Sequence, residues 1–126
     1  MEPKELLLQC VNAALERKAE DLVILNVKDV TSFADYFVIC SGNSDRQIQA
    51  LCDHIGQRLK KSGVFPLGIE GERTGSWILM DYGDVILHIF YKPVREFYNI
   101  EGLWADVPSM SIEESVQELT VLNDDM

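Results

Sequence analysis

The chain has 126 residues, enough for one domain with a single core that needs no disulfide or metal staple. Eleven Lys and Arg against 21 Asp and Glu give a net charge of −10, which disfavours docking on a phosphate backbone, because that contact needs clustered cations. No apolar run reaches the ~20 residues of a membrane span, and the acid-led first residues are unlike a secretory or transit segment, so a cytoplasmic protein is expected.

In chain order, Pro3 suits a first helical position, and Leu8, Val11 and Leu15 follow helical spacing; a helix is expected from about Pro3 to Lys18. "DLVILNV" reads as a buried strand, "VKDVTSFA" as a polar connector and "DYFVIC" as a second strand. Ser44 and Gln47 form an S-x-x-Q capping box before a second helix, whose buried stripe is Ile48, Leu51, Cys52, Ile55 and Leu59. Lys60 and Lys61 suit its negative end and Gly63 its C′ position. "FPLGI" is a third strand and "GERTG" a turn. "SWILM" and "VILHIFY" form a hairpin around "DYGD", where Gly83 permits a positive φ. "VREFYNIEGLW" is a short helical piece after Pro93.

This order predicts a single α/β domain over residues 1–105, with one mixed sheet of five strands and flanking helices. Residues 101–126 hold seven acids and no Lys or Arg. Residues 106–126 are therefore expected to form an acidic, mobile tail. Ser111 and Glu114 make another capping box there, and Ile112, Val116 and Leu119 share a face, but that face is thin.

Few residues have the pattern of a catalytic site. Cys10, Cys40 and Cys52 fall at apolar positions without Cys-x-x-Cys spacing, as buried free thiols do. The Gly-Ser turn "SGNSDRQ" could cradle a phosphate at a helix N-terminus, and nucleotidyltransferases open with such a turn. Those enzymes also need carboxylates soon afterwards to hold Mg²⁺. Here Asp53 stands alone in the second helix. Glu70-x-Glu72 puts two acids on one face only if the chain is extended. His54 lies among polar helix positions and His88 in an apolar strand, where one hydrogen bond satisfies it. No metal-ligand spacing and no nucleophile elbow occur. The expectation is no enzyme, no metal and no cofactor; the alternative is a metal-dependent nucleotidyltransferase or nucleotide-binding enzyme using Ser41–Ser44 with Glu70 and Glu72.

The hairpin suggests binding instead. Trp77, Leu79 and Asp81 alternate to one strand face, with Ile78 and Met80 on the other. Trp77 fits core packing or an interface anchor, the latter rimmed by Glu70, Glu72, Asp81 and Asp84 and suited to a basic protein partner.

Three stretches, "ADYFVICSGNSDRQ", "PLGIEGERTGSWILMDYGDVILHIF" and "REFYNIEGLW", together resemble the ribosomal silencing factor family (RsfS, also called Iojap) over roughly residues 5–105. The resemblance implies a nucleotidyltransferase-like fold without transferase activity. It also implies binding to large-subunit ribosomal protein fourteen, a steric block to subunit joining, and repression of translation when nutrients are scarce. Carried over to this chain, the contact region is Leu67, Gly68, Glu70, Gly71, Trp77, Leu79, Asp81 and Tyr82, with Trp77 as anchor. A homodimer of the free protein is compatible with it. The extension after Trp104 departs from the shorter family core.

Overall fold

A computed structural model of the chain describes residues 1–73 and 75–110. The elements are α1 (Pro3–Glu16), β1 (Glu20–Asn26), β2 (Tyr36–Gly42), α2 (Asp45–Lys61), β3 (Gly68–Glu70), β4 (Trp77–Asp81), β5 (Val85–Tyr91), α3 (Lys92–Tyr98), α4 (Ile100–Leu103) and β6 (Ser109–Met110). The five expected strands are present, and the short β6 adds a sixth. They form one mixed sheet in the order β3-β4-β5-β2-β1-β6. β2 and β5 are parallel, joined through α2, β3 and β4; every other pair is antiparallel. None of the described helices is long and apolar enough to cross a membrane.

The two faces of the sheet are covered unequally. On one side α1 and α2 lie against Val38, Cys40, Ile78, Met80, Leu87 and Ile89, which are fully buried. In α2, Ile48, Leu51, Ile55 and Leu59 recur at helical spacing and are at most 1% exposed. Each such side chain contributes about 2 kcal/mol through burial. Among the described residues, the other side has only the short α3 and α4 to cover it. Its cluster of Phe37, Ile39, Ile86, Phe90 and Ile100 is flanked by half-buried Val23, Trp77, Leu79, Val94 and Trp104. The strand alternation expected of β4 is therefore present, with Ile78 and Met80 under the helices and Trp77, Leu79 and Asp81 on the sparsely covered face.

Both ends of α2 are closed as its sequence requires. Ser44 is the N-cap, its Oγ accepting from the Gln47 N–H at 3.1 Å. The Gln47 side chain reaches back one residue further than in the usual box, accepting from the Asn43 N–H at 2.7 Å. At the other end Gly63 takes φ 77°, so that its N–H reaches the Lys60 carbonyl and the Val64 N–H the Leu59 carbonyl. That is the Schellman arrangement. Ser44→Ala is expected to cost about 1 kcal/mol, and Ser44→Asp to be nearly neutral, in denaturant unfolding. Equal losses in the two variants would contradict the capping role.

Beyond residue 105, the Asn26 N–H donates to the Pro108 carbonyl, and Ser109 and Met110 pair with Leu25 and Ile24. The sheet thus takes in residues past the expected boundary at 105. Backbone pairing with the free edge of β1 requires no apolar pattern. Residues 111–126, including the Ser111–Glu114 box and the Ile112, Val116, Leu119 face, lie outside the described residues.

Candidate functional site

β4 projects Trp77, Leu79 and Asp81 from the thinly covered face, and the β3–β4 register sets Glu70 opposite Leu79 and Gly68 opposite Asp81. Cross-strand partners share a face, so Gly68, Glu70, Trp77, Leu79 and Asp81 come together there. Trp77 is half-buried. Its ring stacks on Phe90 at 4.8 Å between centroids and meets Tyr98 of α3 at 5.0 Å. The core-packing reading of Trp77 is thus met in part: the indole packs against Phe90 and Tyr98, while the residue keeps access to solvent. Glu70 and Asp84 are exposed beside this face. Asp81 is engaged: its carboxylate accepts from the Gly83 N–H at 2.8 Å and closes the β4–β5 turn.

Three expected contact residues lie elsewhere. Tyr82 is a correction. It is 7% exposed and belongs to the core beneath α1 and α2, where its hydroxyl has no hydrogen-bond partner among the described residues and burial raises its pKa. At the end of β4 it is the next residue in the Ile78, Met80 series, so strand alternation turns it inward. Leu67 is 78% exposed but sits on the rim beside the Gly83 turn. Gly71 serves through its backbone. Its φ of 86° suits glycine, and a Cβ there would collide with the Trp77 carbonyl oxygen.

Gly71 also separates the two acids that an extended chain would align. Glu70 stands on the thinly covered face. Glu72 lies on the helix side, in a 60 Å³ cleft with Gln49, Cys52, Asp53 and Ile78, and its carbonyl accepts from Gln49 Nε2 at 2.9 Å. Glu70 is also remote from the Gly-Ser turn. Its row runs through Leu79 and His88 to Ile39, three strand spacings or roughly 14 Å away. In the turn itself the Ser41 hydroxyl accepts from Arg95 Nη1 at 2.8 Å. Among the described residues no group of three or more His, Cys, Asp or Glu is arranged to hold a metal ion. Burial pushes the thiols of Cys10, Cys40 and Cys52 up to about 12, which leaves them protonated and poorly nucleophilic at neutral pH.

The family described as "Ribosomal silencing factor during starvation" matches residues 1–125. The chain belongs to the ribosomal silencing factor family. Among its relatives, the ribosomal silencing factor RsfS of Halalkalibacterium halodurans is 41% identical over 113 residues, 90% of this chain and 97% of that protein. The RsfS of Bacillus subtilis is 37% identical over 113 residues, 90% and 96% respectively. A crystal structure of a Chromobacterium violaceum protein superposes with a TM-score of 0.81 at 35% identity, over 83% of this chain and 88% of that one.

In this chain the two histidines have structural partners. His54 Nε2 lies 2.8 Å from Glu16 Oε1, and Arg58 Nε lies 3.0 Å from the same oxygen, tying α2 to α1. The hydrogen bond from His54 is the main cause of the lowered Glu16 pKa. His88 is buried among Phe37, Trp77 and Phe90. Its Nδ1 accepts from Trp77 Nε1 at 3.3 Å, which requires the neutral ring. Burial lowers its pKa to about 4, from 6.5. Because the folded pKa lies below the unfolded one, this contribution is complete above about pH 6.5 and is lost as pH falls towards 4. The loss is roughly 3 kcal/mol. Denaturant midpoints should fall over that window in the wild type and less steeply in His88→Gln. Equal slopes would show that the pH dependence arises elsewhere.

Proposed function

We propose that this silencing factor binds the large ribosomal subunit through large-subunit ribosomal protein fourteen and blocks joining of the small subunit by occupying the face where the two meet. Translation falls when nutrients are scarce because fewer subunits can pair. The protein acts in the cytoplasm as a non-catalytic factor on a nucleotidyltransferase-like scaffold, without cofactor or metal. The observation that carries this reading is the sheet face that, among the described residues, α3 and α4 cover only thinly, where Trp77 is held half-buried with Leu79 beside it, Glu70 exposed on the neighbouring strand and Asp84 exposed at the β4–β5 turn. An aromatic anchor with an acidic rim suits a basic protein surface, and the excess of acids speeds encounter with such a partner. The separation of Glu70, Glu72 and the Gly-Ser turn counts against the enzyme alternative.

Steric exclusion requires only that the factor bind the large subunit more favourably, at its working concentration, than the small subunit does. Purified subunits mixed at a Mg²⁺ concentration that supports pairing should yield fewer assembled ribosomes as the factor is added, in proportion to occupancy. Unchanged assembly with the factor bound would overturn the joining block while leaving the docking intact.

A further inference from the structure

The aromatic contacts of the candidate face do not stop at the hairpin. Phe90, Trp77, Tyr98 and Phe97 follow one another at centroid distances of 4.8, 5.0 and 5.1 Å, leading from the buried sheet to solvent. The outer two are on α3, where Phe97 is 82% and Tyr98 53% exposed. Phe97 therefore buries almost nothing against the described residues, although its ring is oriented edge-on against Tyr98, at 89°.

The corner that presents these rings is firmly held. Arg95, in the same helix, is 9% exposed; its Nη1 donates to Ser41 Oγ at 2.8 Å and its Nε to Glu101 Oε1 at 3.0 Å. Asn99 then takes the left-handed conformation, φ 44° and ψ 54°, and its N–H donates to the Arg95 carbonyl at 2.8 Å. Asn tolerates this conformation better than other side chains except glycine. α3 is thus fixed to the C-terminal end of β2 by a buried guanidinium, and its direction is set before any partner arrives. Holding an exposed aromatic pair in place reduces the ordering cost of binding.

We propose that Phe97 and Tyr98 form a second anchor of the docking face, continuous with Trp77, and that this anchor enters an apolar depression rimmed by Lys or Arg on the ribosomal protein partner. The inference rests on the docking reading above and extends it to a helix outside the hairpin. The partner's charge follows from what surrounds the anchor. Glu96 is exposed on α3 and Glu70 lies across the face, while Glu101 is paired with Arg95; Lys92 is the exposed cation of α3.

The test is a titration of purified large subunits with the full chain, read by co-sedimentation, for wild type, Trp77→Ala and Phe97→Ala. Thermal unfolding and sedimentation equilibrium of each free protein accompany it. Phe97→Ala is expected to raise Kd at least tenfold with an unchanged unfolding midpoint, because the ring is already in solvent. Binding within twofold of wild type would overturn the second anchor and leave the Trp77 face standing. Loss of self-association with subunit binding intact would also overturn it, assigning the rings to a second copy of this chain. Failure of the wild type itself to bind would overturn the docking reading and this extension together.

Discussion

Trp77→Ala is expected to weaken binding to the large subunit by about 2 kcal/mol or more, chiefly through faster dissociation. The indole is half-buried, stacked on Phe90 and donating to His88, so the substitution also removes intramolecular packing. Complete burial of such a ring is associated with losses of about 3–5 kcal/mol; a partly exposed one should lose roughly half of that, which leaves the domain folded. Stability and affinity must therefore be measured on the same samples. Loss of affinity in a sample shown to be folded assigns Trp77 to the docking face. A lowered unfolding midpoint with unchanged binding by the folded fraction assigns it to the core. Charge reversal at Glu70, exposed on the rim, should instead slow association and weaken its dependence on salt.

Gly71→Ala is expected to be the most damaging small substitution near the face. A non-glycine residue held at φ 86° costs roughly 1–3 kcal/mol. Here the added methyl also meets the Trp77 carbonyl, a backbone atom that cannot rotate aside. Relief requires β4 to shift, and β4 carries Trp77 and Leu79. Gly71→Ala should thus lower the denaturant midpoint and weaken subunit binding together. Gly68→Ala, where a Cβ meets nothing within 4 Å, should leave the denaturant midpoint unchanged. Equal behaviour of the two variants would contradict the close approach at Gly71.

The sequence was most informative where local chemistry decides structure. The α2 caps were visible as Ser44, Gln47 and Gly63, because capping depends on residues close together in the chain. The two faces of β4 followed from alternation alone. The sequence was least informative where one backbone angle redirects the chain. Glu70 and Glu72 share a face only in an extended strand, and the positive φ of Gly71 sends them to opposite sides. Tyr82 entered the contact region with the family resemblance, although alternation with Met80 turns it inward. The Arg95 link to Ser41 and Glu101 had no legible signal. Ser41 is 54 residues away, and the six-residue step to Glu101 matches no helical spacing. It exists because Asn99 turns the chain between α3 and α4. The sequence reads α3 and α4 as one helical piece, so the turn at Asn99 between them was not visible in it.

The most direct measurement of the central claim is co-sedimentation of the purified protein with separated large subunits, separated small subunits and assembled ribosomes at physiological salt. Steric exclusion at the joining face predicts that the protein travels with free large subunits and is nearly absent from small subunits and assembled ribosomes. Equal partitioning into assembled ribosomes would contradict it, since a factor occupying the joining face cannot remain there once the small subunit has docked.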